Sequence, residues 1–543
     1  MSASSKKKLR NELEAAKLTE RQLAEQKEAK KVKLYTTAFA VVMAAILVIA
    51  ATIGVTQFIS TSGIREKNTV ALSVNGTDLS NAELNYFYID VLNNFYSQNG
   101  SYAALFGLDV TQPLNEQVYD DSTGDTWADY FLESAKTNAV SVYAVSQAAE
   151  AEGFTLSDED ALSLESAISN ITLYASLYGY SDAETYLKAM YGSGASMETY
   201  RAYAEKTMLA NAYQTAYGES LVFEDADLRA AEAENFDEYS SFAYNYYYLA
   251  ASQFQEGGTT AEDGTTTYSD EEKAAAVAAA EDAAKSLTSD EITTIEALDA
   301  AIAALPINAE STTAASTRYD AQRYTSITSS IAQWLAEDSR TEGDLTYIAN
   351  ASTDADGKET INGYYVVRYE STIDNTFALK NVRHILVGFE GGTTDETTGA
   401  VTYSDEEKAA AKATAEEILT EWKSGEATEA SFAGLAAEKS TDTGSTANGG
   451  LYEDIYPGQM VEAFENWCYD SSRKAGDTGI VETEYGYHIM YFSGNSTETY
   501  RDYMIRNDLT SNAITEWYNG IVDSAAVTEG EMKYLSLDMV LSA

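Results

Sequence analysis

Cysteine, histidine and proline are scarce in this chain of 543 residues, with one, two and three copies. A single cysteine excludes an intramolecular disulfide framework, a Cys-x-x-Cys redox site and a cysteine-rich zinc site. Two histidines leave little room for imidazole chemistry, so the position of each one matters. Positive charge is also short: 35 Lys and Arg stand against 86 Asp and Glu, a net charge of -51. A surface of that sign excludes nucleic-acid binding through a basic face, because phosphates need the opposite charge. Apolar residues, at 45%, and 40 tyrosines are plentiful enough to build several cores. The length suggests three or four domains.

The charge is uneven. Residues 1–33 carry ten Lys and Arg against five Glu, a net of +5, which leaves about -56 for the remainder. Between them, Leu34–Ile64 has no charged residue, and Ala38–Val55 reads AFAVVMAAILVIAATIGV. Eighteen helical residues rise about 27 Å, close to the thickness of a bilayer's hydrocarbon core. The segment has no polar stripe, as a buried core helix would, and its basic flank is longer than that of a cleaved signal. It reads as a single uncleaved transmembrane helix over 34–59, with 1–33 in the cytoplasm. The acidic remainder is then extracytoplasmic, and no cysteine at the segment's end offers a lipid anchor.

Beyond the anchor, Val70–Asp78 carries a hairpin signal at Asn75-Gly76. Ser80 and Glu83 read as the start of a helix, and apolar spacing over Trp127–Gly153 and Ser157–Gly179 predicts a mostly helical domain over 68–236. An internal repeat comes next. TYSDEEKAAA occurs at Thr267–Ala276 and again at Thr402–Ala411, each preceded by GGTT. Trp334–Asp344 matches Trp467–Asp477, and Gly363-Tyr-Tyr-Val-Val matches Gly486-Tyr-His-Ile-Met. Three blocks in one order imply two copies of an α+β domain with a small antiparallel sheet, over 239–372 and 378–494. A last amphipathic helix is expected from Thr497 within a closing segment, 495–543, that packs on the helical domain.

Both histidines fall in the second copy, His384 in its first strand (Asn381–Val387) and His488 in its last (Tyr485–Tyr491). First and last strands of a small antiparallel sheet can be neighbours, which would set the two imidazoles side by side. Between them lie Ser440-Thr-Asp-Thr-Gly444, Asn448-Gly-Gly-Leu-Tyr452 and Gly458-Gln-Met-Val-Glu-Ala-Phe464. In this order and spacing, HILV, S-x-D, GG, GQM-x-x-x-F and T-x-YGYHI resemble the parvulin type (PpiC, rotamase) of peptidyl-prolyl cis/trans isomerase. The wider layout of anchor, helical chaperone-like domain, tandem parvulin-like domains and closing helix resembles membrane-anchored foldases of the PrsA and SurA kind. The fold class implied is α+β multidomain.

The resemblance implies roles for particular residues. His384 and His488 match the paired histidines, Asp442 the acid between them, and Thr483 the hydroxyl bonded to the histidine network. Met460 and Phe464, expected four apart on one helix face, match the apolar pocket for the proline ring, with Gln459 and Tyr452 beside it. Tyr452 stands where leucine is common, and Gly-Gly-Leu-Tyr replaces the commoner Gly-Gly-Asp-Leu-Gly. The first copy departs further. Tyr365 replaces the second histidine, Tyr246–Tyr248 the first, and Ile327 and Ile331 the Met/Phe pair, so it reads as a non-catalytic spacer or peptide-binding module.

The function implied is isomerisation of X-Pro bonds in newly exported, unfolded proteins, with neither metal nor other cofactor. The alternative is a holdase that binds such clients without catalysis. The plainer reading makes the pair core histidines bonded to each other and to backbone, which is compatible with catalysis, while zinc ligation is a weaker rival because the two lie 104 residues apart without an HxxxH partner. A surface adhesin using the tyrosine-rich faces is disfavoured by the lack of a Thr/Pro-rich stalk. Cys468 reads as a buried structural thiol.

Overall fold

The computed structural model describes residues 4–8, 10, 62–261, 264–353, 357–395 and 398–537. The apolar stretch 34–59 expected to cross a membrane lies outside the described residues, as does most of the basic segment before it. Among the described residues, no helix is long and apolar enough to cross a membrane. The chain divides into two units. One joins Met1–Leu221 to Asn512–Ala543, and the other is Val222–Ser511.

In the first unit, Asn75 and Gly76 both adopt left-handed backbone (φ 51° and 81°). They turn β1 (Val70–Val74) into β2 (Thr77–Ser80), as a type I′ hairpin requires. Ser80 then caps α1 (Asn81–Asn99), and Glu83 reaches back to the cap's own N–H. The same reciprocal capping starts α2 (Trp127–Ala151) at Thr126 and Asp129, and α3 (Asp158–Leu177) at Ser157 and Asp160. Asp182 caps α4 (Ala183–Tyr191), and Ser196 with Thr199 starts α5 (Met197–Ser220). Leu72, Leu79, Leu84, Tyr88, Phe131 and Tyr143 form the main core.

A third strand, Val527–Glu529, pairs with β1 on the edge opposite β2. No sequence signal marks it, since all three residues are exposed and the strand is held mainly by backbone bonds. Asn81 secures the segment after this strand. Fully buried, it donates to the carbonyls of Thr69 (2.9 Å) and Glu531 (2.7 Å) and accepts from the Tyr534 N–H (3.2 Å).

The second unit opens with α6 (Asp225–Glu234) and holds two four-stranded antiparallel sheets. The first contains β3 (Ser241–Ala250), β4 (Thr317–Arg323), β5 (Leu345–Thr353) and β6 (Glu359–Ile373), in the order β4-β3-β6-β5. The second contains β7 (Ala378–Gly388), β8 (Leu451–Ile455), β9 (Thr478–Thr483) and β10 (Gly486–Thr499), in the order β8-β7-β10-β9. Each therefore sets its first and last strands side by side in the middle.

Helices α7 (Asp270–Leu287), α8 (Ile295–Ala303) and α9 (Ser329–Leu335) accompany the first sheet. Helices α10 (Asp405–Ser424), α11 (Glu429–Lys439) and α12 (Glu462–Tyr469) accompany the second. The repeated decamer builds one device twice. Ser269 and Ser404 cap α7 and α10, while Glu272 and Glu407 also accept the N–H of Gly258 and Gly392 from the preceding hairpin.

Alternation along β7 and β10 divides the second sheet's faces. Ile385, Val387, Tyr487 and Ile489 pack with Ala415, Trp422 and Phe432 of α10 and α11. Val382, Met490 and Phe492 face the other way, against Phe464 and Cys468 of α12. The last helix, α13 (Tyr500–Asp523), starts three residues later than the sequence suggests, because β10 continues to Thr499. Its Tyr500, Met504 and Ile505 bury with Leu228, Tyr239 and Leu379 in the second unit. Farther along, in the first unit, Trp517 stacks on Tyr217 with ring centroids 4.5 Å apart.

Replacing the buried Asn81 with alanine removes its three hydrogen bonds to the backbone of Thr69, Glu531 and Tyr534 in the first unit. The expected cost is about 2–3 kcal/mol. Thermal unfolding should register that loss, and limited proteolysis should cut within 525–537 sooner than in the unsubstituted chain.

Candidate active site

His384 lies opposite Met490 across the β7–β10 ladder, and His488 opposite Leu386. The two histidines are thus diagonal neighbours on the α12 face, within reach of ring side chains. Their Nδ1 atoms are 2.9 Å apart, and the rings lie 19° from parallel with centroids 5.1 Å apart. Both residues are buried.

The far nitrogens are also engaged. His384 Nε2 is 2.8 Å from Asp442 Oδ2 and 3.1 Å from Ser445 Oγ, while His488 Nε2 is 2.8 Å from Thr483 Oγ1. Asp442 additionally accepts from the hydroxyls of Ser445 and Tyr452 and from the Gly444 N–H. Burial works against its charge, but hydrogen bonds from Ser445, His384 and Gly444 prevail and hold its pKa at about 2.

An ionised Asp442 sets every proton in the chain. His384 Nε2–H donates to the carboxylate, which leaves His384 Nδ1 to accept from His488 Nδ1–H. His488 Nε2 then accepts from the Thr483 hydroxyl. Each imidazole is neutral. Desolvation lowers the His384 pKa against the pull of Asp442. Desolvation, reinforced by His384, lowers that of His488 to about 4.

Apolar groups complete the site. Phe464 sets its ring nearly perpendicular to both imidazoles, with centroids 5.5 Å from His384 and 5.4 Å from His488. Tyr452 lies 5.2 Å from the His384 ring and packs with Met460 and Phe464 in one cluster. Met460 is not on the helix: Val461 is extended (ψ 143°), so α12 begins only at Glu462 and Met460 enters the cluster from the preceding turn. Gln459 lies outside this assembly, exposed, with its side-chain oxygen accepting from the Tyr456 N–H. Burial pushes the Cys468 thiol up to about 12, so Cys468 serves as packing behind Phe464.

No motif marks Ser445, although it is 1% exposed and touches both His384 and Asp442. Its position three residues after Asp442 is the one signal the sequence offers. The neighbouring glycine pair has a steric purpose. Gly450 has φ 74°, accepts the His384 N–H at 2.8 Å, and a Cβ there would come within 2.2 Å of the His384 carbonyl oxygen.

The first sheet carries tyrosines at the matching register positions. Tyr246 pairs with Val367 as His384 does with Met490, Tyr365 with Tyr248 as His488 does with Leu386, and Tyr319 with Tyr244 as Tyr452 does with Val382. The Tyr244 and Tyr246 rings stack on Tyr319 at centroid distances of 5.3 and 5.8 Å.

Residues 384–494 match the family model of the PPIC-type PPIase (rotamase) domain. This region is a parvulin-type peptidyl-prolyl isomerase domain. Among curated proteins, part of the chain is similar to PrsA foldases. It is 47% identical over 79 residues to foldase protein PrsA 1 of Listeria innocua, covering 14% of this chain and 26% of that protein. It is 36% identical over 111 residues to foldase protein PrsA 2 of Listeria monocytogenes, covering 20% and 34%. The crystal structure of the peptidylprolyl isomerase PrsA from Bacillus cereus aligns at 26% identity over 27% of this chain and 49% of that one, with a TM-score of 0.17. The chain thus spans between a quarter and a third of the length of these curated relatives.

The close approach at Gly450 can be set against an open glycine. Gly450→Ala should destabilise the full chain by more than about 2 kcal/mol, because strand backbone must move. Gly458→Ala, also left-handed but facing open space, should cost about 1 kcal/mol. Thermal unfolding of both variants checks the contrast.

The chain's two histidines also allow direct titration by the NMR signals of their ring protons. Neither should titrate at the ordinary 6.5, and His488 should do so near 4. Because the folded values are depressed, the unfolded chain binds protons first. The stability contributed is complete above about pH 6.5 and is lost as pH falls toward 4.

Proposed function

We propose that this chain is a membrane-anchored extracytoplasmic foldase whose 378–494 domain isomerises X-Pro bonds in exported, unfolded proteins. The observation that carries this reading is the Nδ1–Nδ1 hydrogen bond between His384 and His488, terminated by Asp442 and Thr483 and faced by Phe464. The match over residues 384–494 supports the reaction class. The uncharged stretch 34–59 behind a basic segment supports the anchor, and the PrsA likeness supports the foldase role.

The reaction asks for little covalent chemistry. An X-Pro bond is slow to rotate because twisting it breaks amide resonance, at a cost of about 18–20 kcal/mol. Lowering that barrier requires a grip on the ring, exclusion of water and an environment that favours the twisted amide. In this reading Phe464, Met460 and Tyr452 hold the pyrrolidine. The neutral imidazole pair, fixed in one tautomer by Asp442 and Thr483, supplies a rigid polar wall. None of these groups attacks the substrate. The first sheet, with tyrosines where the imidazoles would stand, is a degenerate parvulin-like domain over 239–372 that does not isomerise. The helical domain and the closing segment hold the client.

The full chain should accelerate cis-to-trans conversion of a short prolyl peptide. His384→Ala and His488→Ala should each lower kcat/KM at least tenfold. The double variant should fall little further, because the pair acts as one unit. Thr483→Val, which removes one terminal bond of about 1 kcal/mol, should cost roughly fivefold. A folded chain that suppresses client aggregation with no isomerase rate would replace this reading with the holdase.

A further inference from the structure

The first unit contains three cavities of about 860, 680 and 450 Å³. They are continuous in their walls. Asp90 lines the first and third, and Tyr130, Ser134 and Asn138 line both the second and third. Together they form a trough along α1, α2, α3 and α5.

The lining has one chemical character. Glu159, Glu219 and the helix-capping Asp160 line the first chamber beside Tyr191, Tyr200 and Tyr203. Asp125, Asp129 and Glu133 line the next beside Tyr119 and Tyr130. No Lys or Arg lines any of the three. Of the cations on the same helices, Lys136 pairs with the lining carboxylate Glu133 and with Glu529, and Lys206 lies over the Tyr143 ring, so the second chamber's acidic lining without an ion pair among the described residues is Asp125 and Asp129. Next to the third chamber, Phe106 packs edge-on against its wall residue Phe95, and Tyr102, Leu105 and Phe106 are 60%, 81% and 56% exposed. A monomer seldom leaves such side chains grouped in water unless the patch binds something.

Carboxylates attract a cation by charge and tyrosine faces by their quadrupole, so the two linings select the same ligand group. Chambers in series suit successive side chains of an extended chain. We infer that this trough binds an extended segment of unfolded polypeptide through its Lys and Arg side chains, with neighbouring aromatic residues on the exposed patch and no requirement for proline. The inference rests on the foldase reading for the nature of the client, and it adds a selection rule: basic, aromatic-rich segments are held, and acidic ones are not.

The test uses the full chain and fluorescence anisotropy. The probe is a labelled, proline-free dodecapeptide repeating Ser-Tyr-Lys, compared with versions carrying Glu for Lys and Ser for Tyr. The Tyr/Lys peptide should bind at least tenfold tighter than either, with the advantage over the Glu version shrinking as salt rises. Asn138→Lys combined with Asn211→Lys places cations at two exposed positions of the lining and should weaken binding at least tenfold. Thr414→Lys with Thr420→Lys, the same change in net charge on exposed positions of α10, should leave affinity within twofold.

Equal affinity for the Lys and Glu peptides overturns the proposal. So does equal weakening by both lysine pairs, which would reduce the effect to the chain's overall charge. Should the trough variant melt early, the comparison of peptides on the unsubstituted chain decides alone. Isomerase activity on a short prolyl peptide, measured on the same preparation, reports separately on the foldase reading.

Discussion

One antiparallel pairing underlies the site. Only because β7 and β10 lie side by side can residues 104 positions apart share a hydrogen bond between ring nitrogens. That bond also depends on charge. Two neutral imidazoles can meet Nδ1 to Nδ1 only if one donates and the other accepts, and the choice is forced from outside by Asp442. Were that carboxyl neutral, it could donate to His384 Nε2 and the proton order along the chain would no longer be unique. Ser445 and Gly444, by keeping it ionised, act on His488 through two intervening groups, Asp442 and His384.

The arrangement answers the usual objection to burying polar side chains. Each of the four ring nitrogens has a partner, so desolvation is offset atom by atom and no donor is stranded. The first sheet fills the same register positions differently. Its tyrosine rings stack, and their hydroxyls find partners at the edges, as Tyr244 does with Gln322 and Tyr248 with the Asn362 carbonyl. One strand order thus accommodates either a polar chain of imidazoles or an aromatic stack. The sheet supplies proximity, and the side chains decide the chemistry.

Much of this is legible in the sequence because its signals are local or repeated. Ser80 and Glu83, Asn75-Gly76 and the duplicated TYSDEEKAAA each specify short-range geometry that tertiary contacts do not override. The proximity of His384 and His488 follows from their places in first and last strands. The features that escape are non-local or unpatterned. Val527–Glu529 is a strand because β1 offers an open edge, not because of its residues. Ser445 resembles any loop serine until the fold buries it beside His384. Spacing to Phe464 predicts Met460 on a helix, but the extended Val461 places it in a turn.

That last difference changes how the apolar wall is held. Phe464 is carried by α12 and locked edge-on against both imidazoles, so its position is set by the sheet. Met460 is carried by a turn that contains Gly458 at φ 87° and is closed by Gln459 on the Tyr456 backbone. An unbranched side chain on such a turn can adapt to the group that lies against it, whereas the Phe464 and imidazole surfaces cannot. The assembly therefore combines a fixed polar side, whose protons are ordered by Asp442, with an apolar side that is rigid at Phe464 and more adaptable at Met460. In the isomerase reading proposed above, that asymmetry would let the surface hold one small ring while accepting different flanking sequences, because rigidity at the ring and tolerance beside it are separate demands.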